Sequence, residues 1–501
     1  MSASGFAPPA QVSDNGTIAR AGFARGPVVS AMLVLGLMLA LTSGGYGYHR
    51  DELYFRMLDP AWGYVDQPPL TPLLVQALST LVDEPWAVRF PAILASVGSV
   101  PVIALIAREL GGDRYAQSLA AWAYASASTP LLMGHVMLTA SFDLLVWPTV
   151  GLFLMRAFLR NQDRWWYATG VVVGLSMYNK LLIAGLLLSF TVGILVTGPR
   201  RALWSPAVFG SVGLALLIGS PNLLYQATND WPQLSMGAAL SENNADEVRI
   251  TMWLFLLVLL GPPHVPVWVA GWVALVRRPS WREVRFLSVA FPVLLLLAFA
   301  AGAQIYYPFG LLAVLFAAGC VPTGVFVATR IVWRRALEGG IIISAAVSAV
   351  IALPLLPEDI LGSTPVPGIN QLAADQVGWP VYVEQIAAVH RSEEPGSVII
   401  TSNYGEAGAV ARYGPDLGLP RPYSGHNQLY FAAQPPEESR TAIIVGGQAE
   451  RVTSLFQECR LAAVLDNRLG VDNEEQDQPI MVCTEPLRPW HETWPAFQHL
   501  D

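Results

Sequence analysis

Between Gly47 and Pro72 the chain reads GYHRDELYFRMLDPAWGYVDQPPLTP, a stretch that holds His49, Arg50, Asp51, Glu52, Arg56, Asp59 and Asp66. That density is unusual in a chain of which 53% is hydrophobic and only 13% charged. A positioned carboxylate can take the proton of an attacking hydroxyl, and a cation can steady a departing phosphate. Asp51 and Glu52 are the candidates for the first task. Adjacent side chains on a helix diverge by about 100°, so the two are expected to do different work. One would be the general base, while the other holds a metal, a basic partner or a helix terminus; which is which stays open. A solvated loop with ion pairs to Arg50 and Arg56 is the bland alternative. Asp66 precedes Pro68 and Pro69 and reads equally well as the acid that stabilises a helix N-terminus.

Lys180 is the only lysine among 29 basic residues. A lysine kept where arginine is the rule suggests a need for a compact, strongly hydrated charge such as a phosphate contact; a snorkelling helix-end lysine is the alternative. Asp143, in LTASFDLLVW, joins the acidic groups on the same side of the membrane.

The elements that must position these groups are mostly membrane helices. Eleven apolar segments approach the length of about 20 residues that a spanning helix needs: 28–45, 89–107, 115–136, 138–158, 165–180, 181–197, 203–225, 250–272, 284–302, 305–328 and 339–357. The first is expected to be an uncleaved helix rather than a signal peptide, preceded by a disordered cytoplasmic tail, 1–27. With the N-terminus inside, sixteen arginines fall on inner loops, against Arg50, Arg56, Arg89, Lys180 and Arg249 outside. This asymmetry puts the first loop, 46–88, and everything after 357 on the outer face of the cytoplasmic membrane. The segment 358–501 alternates short strands (397–401, 442–446, 461–465, 479–483) with amphipathic helices (380–391, 449–460). It reads as a small α/β domain with a largely parallel sheet. Cys459 and Cys483 both lie there, where an oxidising compartment permits a disulfide; two free buried cysteines are the alternative. Neither a glycine-rich nucleotide motif nor a basic block pointing to nucleic acid is present.

RDELYF, WGYVDQPPLTPLL, VRFPAILASV, FDLLVW and NK, with ARELGG, PNLLYQ and the tail NYGEAGAVARY…YSGHNQLYF, together resemble the bacterial GT-C glycosyltransferases. The likeness is nearest the protein O-mannosyltransferase and aminoarabinose-transferase branch and covers most of 40–500. It implies a multispan GT-C-like domain over 28–357 and an inverting transfer of sugar from a polyprenyl-phosphate donor. The acceptor would be a glycan, lipid or protein of the cell envelope. The family's acidic positions fall on Asp51, with Glu52 beside it, and on Asp66. Gln67 stands where relatives similar to the aminoarabinose transferase carry lysine, which moves the phosphate contact toward Lys180 and Arg89. A divalent metal, held by Asp66 or Glu52, varies within the superfamily. Asp66, Asp143, Asn222, Gln226, Tyr306, Tyr307, His426 and Asn427 would complete the pocket. Interfacial tyrosines and a buried turn are the bland readings of the last four. The polar segment 230–249 has the length of a mobile lid, and His264 is expected at a kink as a satisfied core histidine. A secondary transporter would instead place its polar groups at mid-membrane on related repeats, and no repeat is evident. A non-catalytic scaffold or receptor would need neither the acids nor the lysine.

Overall fold

The computed structural model describes Ile18 and residues 20–500, so most of the expected tail lies outside the described residues. Six helices are long and apolar enough to cross a membrane: Arg25–Thr42, Phe90–Glu109, Thr139–Arg160, Pro206–Thr228, Phe309–Ala328 and Ile331–Ala352. Val248–Val258 and Pro262–Arg277 form a further, broken one, bent by 77°. Eleven full-length spans are therefore not found among the described residues. The expected span 115–136 breaks at Ser126 into Arg114–Ala125 and Ser128–His135. Arg164–Ser176 and Ile183–Thr197 have only 13 and 15 residues, and at 1.5 Å per residue each falls well short of a hydrocarbon core about 30 Å thick.

The 77° bend turns on Gly261, whose φ of 101° suits glycine. His264 is buried beside it, with ring nitrogens 3.2 Å from the Gly261 carbonyl oxygen and 3.1 Å from that of Ala123, as the kink reading expects. The segment expected as a lid loop instead forms the larger, N-terminal part of a 27-residue helix, Pro232–Val258. Proline at its first position and the Ala-, Met- and Glu-containing run behind it favour that outcome.

The C-terminal part carries a five-stranded sheet of order β2-β1-β3-β5-β4, formed by β1 (Val398–Thr401), β2 (Tyr423–Ser424), β3 (Thr441–Val445), β4 (Phe456–Val464) and β5 (Pro479–Pro486). β1 runs parallel to β2 and β3, but β5 is antiparallel to both β3 and β4. The sheet is mixed, not largely parallel. The expected helix 449–460 survives only as Ala449–Val452, because the segment after it pairs with β5. Cys459 faces Cys483 across that pair and is disulfide-bonded to it. Cys320 is buried within Phe309–Ala328.

Candidate active site

The short helix Arg50–Met57 is set by its own first turn. His49 Nδ1 accepts the Asp51 N–H at 3.1 Å, and the Glu52 carboxylate accepts the His49 N–H at 2.8 Å. Two acids at the N-terminus and Arg56 in the last turn suit the helix dipole. The turn also points Asp51 and Glu52 into opposite surroundings.

Glu52 is fully buried. It accepts from Arg89 Nε and Nη2, both at 2.9 Å, and from the Met137 N–H at 2.9 Å. Arg89, also fully buried, spends its remaining donors on the carbonyls of Ser43, Gly45 and Gly47 and on Gln376 Oε1. The expectation that Arg89 binds donor phosphate therefore meets a guanidinium already saturated by protein. Glu52, held by four hydrogen bonds, likewise lacks the open lone pair that a base or metal ligand needs.

Asp51 faces a cavity of about 680 Å³, together with Asp66, Lys180, Gln226, Tyr306, Tyr307 and Asn427. The walls come from the first loop, the junction between Arg164–Ser176 and Ile183–Thr197, the start of Pro232–Val258, the turn before Phe309 and the C-terminal domain. Leu182, Leu187, Leu223 and Leu240 make much of the lining aliphatic. Asp51 Oδ1 accepts the Tyr404 hydroxyl at 3.0 Å. Asp66 Oδ1 accepts the Tyr54 hydroxyl at 3.1 Å, whose oxygen in turn accepts the Gln428 N–H at 3.3 Å. Asp66 makes no helix cap, since Leu70–Leu81 has no side-chain cap. Burial raises both carboxyls above the ordinary carboxylate range, Asp66 to about 7, where the Asp51 charge adds to the rise. Lys180 Nζ lies 4.2 Å from the Tyr307 ring centroid and 5.8 Å from that of Tyr306, an aromatic seat for a cation.

Three expected contacts lie off the lining. Asp143 sits in a small adjoining space that shares Tyr306 and Tyr307, where its charge acts on Lys180. Asn222 is buried, donating Nδ2–H to the Met177 carbonyl at 2.7 Å. His426 is buried behind Tyr404, ring centroids 4.7 Å apart, and accepts the Tyr404 N–H on Nδ1 at 3.2 Å. Asn222 and His426 are buried and hydrogen-bond lining residues, whereas Asp143 acts on Lys180 through its charge.

Sequence reasoning missed several lining groups. Tyr54 stands three residues after Asp51 on one helix, a spacing that puts both on one face, so its signal was readable. Asn179, beside Lys180, donates Nδ2–H to the Thr139 carbonyl at 2.8 Å and accepts the Thr71 hydroxyl at 2.7 Å. Gln67, read from sequence only as a departure from lysine, lines the cavity with Gln226, which was expected there; both are buried, and their side-chain Nε2 groups have no partner among the described residues. Tyr404 lies 353 residues from the carboxylate it binds. Among the described residues no group of three or more His, Cys, Asp or Glu could hold a metal ion.

The fold is similar to that of ArnT from Cupriavidus metallidurans. The undecaprenyl phosphate-bound crystal structure of that protein matches with a TM-score of 0.57 at 14% identity, over 91% of this chain and 97% of the other. Its apo structure matches with 0.58 at 13%, over 92% and 98%. These likenesses establish the architecture, a polytopic helical membrane protein of GT-C fold with a C-terminal sheet domain. Residues 66–225 match the family model described as dolichyl-phosphate-mannose-protein mannosyltransferase, and that segment spans Asp66, Asp143, Lys180 and Asn222. The chain is thus a multi-pass helical membrane protein that shares this fold. No curated protein matches it in sequence.

Proposed function

We propose that the chain transfers a sugar from a polyprenyl-phosphate donor to an acceptor hydroxyl or amine, with inversion, at the outer face of the cytoplasmic membrane. The observation that carries this reading is that Asp51 and Lys180 line one half-aliphatic cavity. The donor's phosphate would sit at Lys180 on its tyrosine seat, with the prenyl chain along the leucine wall. Asp51 takes the acceptor's proton as its oxygen or nitrogen bonds to the anomeric carbon from the face opposite the phosphate. The bond from that carbon to the phosphate oxygen breaks, and its electron pair leaves on the lipid phosphate, whose charge Lys180 balances. Asp143 keeps Lys180 charged from behind. Gln67 and Gln226 offer hydrogen bonds to sugar hydroxyls, since a buried donor left unmade costs about 1–3 kcal/mol.

A divalent ion would supply the same charge balance as Lys180, but the residues present do not fit one: Glu52 is committed to Arg89, and Asp66 has only Asp51 as an acidic partner in the cavity. The arginine asymmetry supports an inner N-terminus and an outer C-terminal domain. A reporter active only in the cytoplasm, fused after Asp501, should stay dark; a bright signal would reverse that topology. Lipid-linked sugar analysis in cells with and without the protein tests the function itself. Accumulation of one lipid-phosphate sugar in its absence is expected, and an unchanged lipid pool would count against the donor.

A further inference from the structure

We propose that Tyr404, from the C-terminal domain, is a positioning residue that holds Asp51 in its reactive orientation and keeps it ionised, so that docking of that domain completes the site. This inference rests on the reading of Asp51 as the base.

Tyr404 is the first residue of helix Tyr404–Tyr413 and is fixed from several directions. Asn403 Oδ1 accepts the Glu406 N–H at 2.9 Å, while the Glu406 carboxylate accepts the N–H groups of Ser402 and Asn403 at 2.8 and 3.0 Å. This reciprocal cap locks the helix start. The phenol ring is flanked by Tyr54 and His426, each with centroids 4.7 Å away, and the Arg50 guanidinium carbon lies 4.8 Å from its centroid. Arg50 is itself ion-paired to Glu474 of the same domain. The two helices meet closely because residue 408 is glycine; a Cβ there would come within 2.6 Å of the Leu53 carbonyl carbon. The hydroxyl that results from this placement donates to Asp51 Oδ1 at 3.0 Å, the one hydrogen bond from a side chain that Asp51 receives among the described residues.

A hydroxyl donating to a carboxylate favours its ionised form. The other charged and titratable groups acting on Asp51 are Arg50, which also favours ionisation, and Glu52 and Glu474, which oppose it. Asp66, in the same cavity, is itself raised by the Asp51 charge; His49 lies 4.0 Å from Asp51 with its nitrogen accepting, and Tyr306 faces Asp51 across the cavity. With burial and two carboxylates opposing ionisation, the Tyr404 hydroxyl joins Arg50 in favouring the charged form. It also fixes which carboxylate oxygen remains free for the acceptor.

The test is Tyr404→Phe, which keeps the ring and its stacking, with Tyr413→Phe as a control on the same helix. Full-length protein in lipid nanodiscs is titrated by infrared difference spectroscopy, the Asp51 carboxyl band being identified by its loss in Asp51→Asn. Tyr404→Phe should raise the midpoint of that band by about one pH unit, because hydrogen bonds to charged groups are commonly of that strength, while Tyr413→Phe leaves it in place. An unmoved midpoint in Tyr404→Phe, with the fold intact by melting temperature, overturns the proposal. In parallel, transfer from radiolabelled polyprenyl-phosphate mannose should show the acid limb of kcat displaced upward by the same amount with donor KM little changed. Absence of any transfer by the wild type would count against the proposed reaction, while the spectroscopic midpoint still decides the role of Tyr404.

Discussion

Glu52 accepts four hydrogen bonds, two from Arg89 and two from backbone N–H groups, with no exposed surface. Asp51, the residue before it, accepts one from Tyr404 and opens onto a cavity that also holds Lys180. The two carboxylates share a helix turn and differ in what surrounds them. A saturated buried acid is a brace: its lone pairs are spent, and its partner arginine ties the first loop to the end of Arg25–Thr42 and, through Gln376, to the C-terminal part. An unsaturated acid beside a cavity keeps capacity for a proton. The same contrast separates Arg89 from Lys180, one enclosed by carbonyls and the other resting on tyrosine rings.

The comparison breaks first at Glu52. Removing its charge in Glu52→Gln leaves Arg89 buried without a counter-ion, a loss of about 3–5 kcal/mol, so the purified variant should melt far lower and accumulate poorly. A Glu52→Gln protein that is as stable as wild type yet inert would invert the assignment. Asp51→Asn should do the opposite, with an unchanged melting temperature and turnover lower by at least about 100-fold, or about 2.7 kcal/mol in barrier. Lys180→Ala is expected to weaken donor binding about tenfold and to slow transfer as well, with partial rescue by Lys180→Arg because the guanidinium is larger and planar; normal donor affinity would return the lysine to a helix-end role. The smallest effect belongs to Asp66→Asn. Burial holds the Asp66 carboxyl up to about 7, and the neighbours that set Asp51 are Arg50, Tyr404, Glu52 and Glu474. Since a base works deprotonated and is lost as pH falls through its pKa, the acid limb of kcat, set by Asp51, should stay in place. A displaced limb in Asp66→Asn would show that the two carboxyls share the proton.

How much of this was legible follows the same division. Charged residues in an apolar chain are costly wherever they sit, so Asp51, Asp66 and Lys180 stood out by type alone. Whether each is spent or open depends on distant backbone. Arg89 draws its partners from 43–52 and 376, and no local pattern counts those carbonyls. Asp143, Asn222 and His426 were found as polar groups near the site, but burial behind the lining is a tertiary property. In the C-terminal domain the strands at 397–401 and 442–446 were visible from their apolar runs. The antiparallel sense of β5, a strand expected at 479–483, was not, nor was the early start of β4, because FQECRL carries a helix-like spacing of apolar residues that strand pairing overrides. The helices around Lys180 are shorter than the apolar segments expected there, since hydropathy sees apolar length and not the turn at 177–182.

The most direct test is single-turnover transfer by wild type, Asp51→Asn and Glu52→Gln in the same nanodisc preparation, using a panel of radiolabelled polyprenyl-phosphate hexoses and pentoses and normalising each rate to folded protein. The expected result is a rate at least about 100-fold lower for Asp51→Asn, while the fraction of Glu52→Gln that remains folded transfers sugar within a few fold of wild type. Near-normal transfer by folded Asp51→Asn would contradict its role as the base.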